Sequence, residues 1–107
     1  MDNRNISITK GPQSVVFNDN KFRKIVKTRV MNKNNKEFLL VSESLCNGYS
    51  DKPCVIALVS GDYYESDTVI PIGSTENITF RILSTSFEEI QLQEPVYVNF
   101  IFQVFKN

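Results

Sequence analysis

The side chains able to do chemistry fall into two groups that lie in opposite halves of the chain. Between Lys21 and Lys36 stand seven positive charges in sixteen residues: Lys21, Arg23, Lys24, Lys27, Arg29, Lys33 and Lys36. Phosphate contacts need several Lys and Arg on one surface. Docking on an acidic protein surface needs the same, and a merely solvated face carries the same residues. Nucleic acid is not the expected partner. No RNA-recognition, zinc-finger or helix-turn-helix signature accompanies the run, aromatics for base stacking are not evident within it, and the net charge is zero. The second group is the acidic stretch from Gly61 to Asp67, with Asp62, Glu65 and Asp67 as oxygen ligands of the kind calcium takes. Their spacing does not match an EF-hand loop, and acids in a β-turn are ordinary, so no metal site is assigned.

Catalysis finds little support. The chain has no histidine, the commonest general base. It has no nucleophile elbow and no glycine loop that would cradle phosphate. Glu88 and Glu89 are adjacent, so in a strand they face opposite sides and cannot act as a carboxylate pair. Cys46 and Cys54, the only cysteines, cannot make an ordinary zinc site without further ligands. A disulfide between them is geometrically possible; in a reducing compartment a core thiol at Cys54 and a loop thiol at Cys46 are expected instead. No cofactor is implied. Tyr49, Tyr63 and Tyr64 lie in or beside loops, where an exposed tyrosine serves as a sugar-stacking platform or an interface anchor. Tyr63 and Tyr64 are neighbours, so in a strand at most one of them is a free anchor; each tyrosine otherwise covers a loop end.

The elements that position these residues read as strands. Val96, Val98, Phe100, Phe102 and Val104 alternate with Tyr97, Asn99, Ile101, Gln103 and Phe105, which predicts a long strand with one wholly apolar face. Ile78, Phe80 and Ile82 repeat the pattern between Asn77 and Ser84. Cys54 to Ser60 is apolar on both faces and reads as a central strand, and Glu37 to Glu43 is similar. Shorter strands are expected over Ser14 to Phe17, Asp67 to Ile72 and Ile90 to Gln93, with Ile6 and Ile8 starting the domain. Lys21 to Met31 reads as a strand with Phe22, Val26 and Val30 inward and Arg23, Lys27 and Arg29 outward, leaving Lys24 on the apolar face. A helix would group Phe22, Ile25, Val26 and Val30, but β-branched residues favour the strand. Turn residues such as Gly11-Pro12, Asn18-Asp19-Asn20 and Gly61-Asp62 punctuate the runs. The expected fold is therefore all-β, a single antiparallel β-sandwich of immunoglobulin-like or jelly-roll-like form with seven to nine strands. It would span residues 6–107, with residues 1–5 as a flexible arm.

Charge adds the partner class. Nine of the twelve basic residues precede Glu37 with only two acids, and the remainder reverses the balance, so the halves carry about +7 and −7. Such a split bears on what the surfaces meet. The expected basic face is Lys21, Arg23, Lys27 and Arg29, meeting acidic groups on a neighbour. No basic and apolar leader follows Met1, and the longest nearly apolar stretch, Cys54 to Val59, is too short to cross a bilayer; a cytoplasmic origin without membrane insertion is expected.

In strand pattern, single-domain layout and the ending Pro95-Val-Tyr-Val-Asn-Phe-Ile-Phe-Gln-Val-Phe, the chain resembles the small β-sandwich proteins that decorate or cement capsids of tailed phages and other viruses. The resemblance implies a non-catalytic virion protein, docking on a capsid lattice or on copies of itself, including as an oligomer. The alternative expectation is a carbohydrate-binding or adhesion module using the loop tyrosines. A further alternative is an intracellular accessory protein that binds a protein or nucleic acid.

Overall fold

Alternation at the C-terminus does what it predicts: Val96, Val98, Phe100 and Phe102 are buried on one face of a nine-residue strand, while Tyr97 and Gln103 point to solvent. Around it a computed structural model, which describes residues 1–45, 53–74 and 76–105, folds as two antiparallel sheets. In chain order the strands are β1 (Asp2–Ile8), β2 (Gln13–Val16), β3 (Arg23–Met31), β4 (Phe38–Ser42), β5 (Cys54–Val59), β6 (Tyr63–Ser66), β7 (Ile70–Gly73), β8 (Asn77–Leu83) and β9 (Val96–Val104). The five-stranded sheet runs β1-β9-β3-β6, with β7 also on β3; the four-stranded sheet runs β2-β8-β4-β5. The only helical turn among the described residues is the short 3-10 segment Glu43–Leu45. No helix there is long and apolar enough to cross a membrane.

The main core lies between the sheets. Phe80 of β8 stacks on Phe100 of β9 with ring centroids 4.4 Å apart, and Phe17 meets Phe102 edge-on at 5.0 Å. Ile25, Val30, Phe38, Leu40, Val59, Ile78 and Val98 fill the space around them. The run over β4 is buried on both faces, as its composition predicts. Phe38 and Leu40 enter the main core; Leu39 and Val41 join Leu83 in a second cluster on the outer side of the four-stranded sheet.

Phe87 packs over that second cluster at a backbone cost. Its φ of 63° is a left-handed conformation that bulky residues avoid. The turn that imposes it is closed by hydrogen bonds from the Phe87 N–H to Ser84 O (2.9 Å) and from the Ser84 N–H to Glu88 O (2.8 Å).

Four expectations are corrected. The apolar β5 is an edge strand, not a central one, and Val55 and Leu58 are exposed. Its outward residues lie opposite Val41 and Leu39 in the ladder, so both its faces are apolar although only one is covered by the main core. Residues 2–5, expected as a flexible arm, pair in register with Phe102 to Asn99. Backbone groups satisfy one another whatever the side chains, and the Arg4 guanidinium sits 4.7 Å over the Phe17 ring. Ile90 to Gln93 forms no strand; Leu92 is buried and its N–H donates to Thr9 O at 3.0 Å, with only a bridge from Glu89 to Leu83. Tyr63 to Ser66, read as loop, is β6, and the strand expected from Asp67 begins at Ile70.

Within β3 the expected register holds only at its C-terminal end. A β-bulge between Ile25 and Lys27 inserts Val26 as an extra residue against β9. Beyond the bulge Thr28 and Val30 face the core; before it Arg23 and Ile25 do, so Phe22 is exposed and Lys24 turns outward. The bulge thus removes Lys24 from the apolar face.

Two stability outcomes follow from this packing. Phe100→Ala should cost about 3–5 kcal/mol, a large part of the ~5–15 kcal/mol typical of a domain, read as a lowered urea midpoint at unchanged slope. At position 87 both truncations lose packing, but glycine accepts the positive φ. Phe87→Gly should therefore unfold at higher urea than Phe87→Ala, by about 1 kcal/mol.

Candidate functional site

Cross-strand register decides which side chains share the outer face of the five-stranded sheet. Residues directly opposite one another in a ladder point to the same side. Tyr97 of β9 pairs with Met31 of β3, and Met31 pairs with Tyr63 of β6. One step along, Asn5 of β1 pairs with Asn99, Asn99 with Arg29, and Arg29 with Glu65. Asn3 and Lys27 flank Ile101 in the next row. The first two rows border a shallow hollow of about 460 Å³ lined by Tyr63, Met31, Tyr97, Asn99, Asn5 and Arg29, with Asn3 at its edge.

The row nearest the sheet's end is apolar and open. Tyr97, Met31 and Tyr63 are 51%, 52% and 53% exposed. The next row is polar and hydrogen-bonded within itself, except that the buried Asn99 Oδ1 has no hydrogen-bond partner among the described residues. Arg29 Nε donates to Glu65 Oε1 at 2.9 Å, and the Tyr63 hydroxyl donates to the same oxygen at 2.8 Å. Arg29 first, and Tyr63 second, hold the Glu65 carboxyl below the usual carboxylate range. The bond to Glu65 in turn raises the Tyr63 phenol. Asn99 Nδ2 donates to Asn5 Oδ1 at 2.9 Å and also to Asn3 Oδ1, tying the amides into one cluster.

The four cations expected to form one basic face do not do so. Lys21 is exposed in the segment before β3. Lys27 and Arg29 lie on the outer face, where Asp67 reaches Lys27 Nζ at 3.2 Å and Glu65 takes Arg29. Arg23 is only 5% exposed, turned inward by the bulge. Its guanidinium lies 4.0 Å over the Phe17 ring and donates to both oxygens of Asp19, at 2.6 and 2.7 Å. Asp2 lies 4.0 Å from its Nε. Arg23 is a buried seal at one end of the sandwich, not a docking residue. The charge split of the sequence is likewise undone in space, because β6 from the acidic half pairs with β3 from the basic half.

Of the tyrosines, Tyr63 is exposed on the outer face and Tyr64, opposite Val30, is half-buried against the main core. Tyr49 and Cys46 lie outside the described residues, and Cys54 is half-buried at the start of β5. Asp62 presents its carbonyl to the Asn32 N–H, while Glu65 and Asp67 face cations; among the described residues no three His, Cys, Asp or Glu gather as a metal site would need. Sequence reading missed the partnership of Tyr97 and Met31 with Tyr63. Each was legible as outward or terminal in its own strand, but only the β9-β3-β6 register brings them together. It also missed Asn32, 1% exposed, whose Nδ2 donates to Lys36 O at 2.9 Å and Gly61 O at 3.1 Å. That amide ties the turn after β3 to the turn before β6 and so holds Met31 beside Tyr63.

No protein-family model matches this chain, and no curated protein matches it either.

The Arg23–Asp19 pair has a pH signature. The hydrogen bonds from Arg23, reinforced by the Lys21 N–H and opposed by partial desolvation, lower the Asp19 carboxyl from 3.8 to about 2. A carboxyl depressed in the folded state stabilises that state above its ordinary pKa, and the contribution is lost as pH falls through the folded value. The melting temperature should therefore drop between about pH 4 and 2 through this group. Asp19→Asn should lower it at neutral pH and flatten that part of the acid slope, as thermal melts across the range would show.

Proposed function

We propose that this chain is a non-catalytic binding module whose working surface is the outer face of its five-stranded sheet. One observation carries the proposal: Tyr97, Met31 and Tyr63, three large side chains each about half exposed, stand in one row on adjacent strands. Scattered exposed apolar residues are normal on any protein; a contiguous group bordered by polar residues marks a contact site. Tyrosine and methionine suit that role, being rich in contact area and tolerant of varied partners. Tyr97 and Met31 sit on β9 and β3, each paired on both sides, and Tyr63 begins the edge strand β6, so two of the three side chains lose little freedom when a partner orders them.

The setting belongs to the same proposal. A decoration or auxiliary protein of a viral capsid is supported by the small single-sandwich layout. Complementary charged surfaces are not its support, since Arg23, Lys27 and Arg29 are already paired within the chain. A carbohydrate-binding role is favoured by a separate observation, the amide cluster of Asn3, Asn5 and Asn99 beside the tyrosine row.

The test uses the full chain in a gently made native lysate. Wild type is expected to sediment with a megadalton particle, and Met31→Glu, which sets a charge between the tyrosines at an exposed position, should release it as the free 12.3 kDa species. Wild type running free would overturn the virion setting. Met31→Glu sedimenting like wild type would overturn the assignment of the face.

A further inference from the structure

The outer face of the five-stranded sheet has a composition that selects among occupants. Its charges are matched: Glu65 accepts from both Arg29 and Tyr63, and Asp67 meets Lys27. An anionic ligand would approach the Glu65 carboxylate and a cationic one the Arg29 guanidinium, so neither sign is drawn to the row. The uncharged groups lining the hollow that have donors to spare are amides. Asn5 and Asn3 give their carbonyl oxygens to Asn99 Nδ2 and keep their own N–H groups for a ligand.

Size narrows the choice further. Neighbouring strands lie about 4.8 Å apart, so Tyr97 and Tyr63, on either side of β3, stand roughly 10 Å apart. The hollow of about 460 Å³ falls within the roughly 300–1,000 Å³ of small-ligand sites. Aromatic surface at such a spacing, bordered by uncharged donors, fits a ligand with apolar faces and a hydroxyl rim.

Resting on the working surface proposed above, we infer that this face binds a neutral oligosaccharide laid across β9, β3 and β6. Its ring faces stack on Tyr97 and Tyr63 over Met31, and its hydroxyls accept from the amides of Asn5 and Asn3. Neutral sugars form no ion pairs, so the binding is insensitive to salt.

The experiment is calorimetric titration of the full chain with cello-, manno- and N-acetylchito-oligosaccharides, and with a sulfated oligosaccharide for comparison, at low and high salt. At least one neutral probe should bind saturably, with affinity unchanged by salt and weakened about tenfold or more by Tyr97→Ala and by Tyr63→Ala. Both tyrosines are exposed, so melting temperatures should match wild type. Binding of the sulfated probe alone, falling steeply with salt, would overturn the inference. So would a concentration-dependent dimer abolished by Tyr97→Ala, which would make the occupant a second copy of this chain. If no probe binds while Met31→Glu still frees the protein from its particle, the sugar assignment fails and the working surface stands. If no probe binds and Met31→Glu changes nothing, both fail.

Discussion

The stacking of Phe80 on Phe100 is the contact on which the rest of the molecule depends. It presses β8 of one sheet against β9 of the other and commits the even-numbered residues of β9 to the core. A strand has a period of two, so a one-residue slip would exchange its faces. With Phe100 and Phe102 inside, Tyr97, Asn99 and Ile101 must be outside. The candidate site is thus the reverse side of the core: its positions are set by the packing energy of phenylalanines that it never touches.

The bulge in β3 shows the same coupling at closer range. Were β3 regular through Val26, a single alternation would carry Arg23 outward whenever Val30 pointed inward. With it, Arg29 remains on the outer face while Arg23 turns into the end of the sandwich, where Phe17 and Asp19 receive it. A guanidinium is tolerated there because its plane lies against an aromatic ring and its edge meets a carboxylate. Two arginines six residues apart therefore do different work: one closes the core, and the other helps neutralise the face.

Electrostatics within the sheet shape what the face can recognise. Complementary charges placed on separate molecules would steer association; here they lie on adjacent strands of one molecule and largely cancel. What remains is aromatic and thioether surface bordered by amides, centred on β9 and β3, which are hydrogen-bonded on both sides, and flanked by the edge strands β1 and β6. In the binding role proposed above, such a surface would act through shape and hydrogen-bond geometry, with little long-range attraction.

The all-β class, the inward face of β9, the alternation of β8 and the doubly buried β4 were legible in the sequence, because period-two burial is local and needs no knowledge of neighbours. So was the choice of strand over helix for the basic run. The edge position of β5, the pairing of residues 2–5 and the inward turn of Arg23 were not, since each depends on which strand lies alongside. Tyr63 was marked by its residue type, yet its association with Met31 and Tyr97 was invisible: the three are spread over 67 positions of the chain and meet only through two ladder registers. The same holds for the charges, which the sequence segregates and the sheet interleaves. Alternation along one strand is written in that strand's own residues; adjacency between strands arises from cooperative packing of the whole core, and only the tertiary structure decides it.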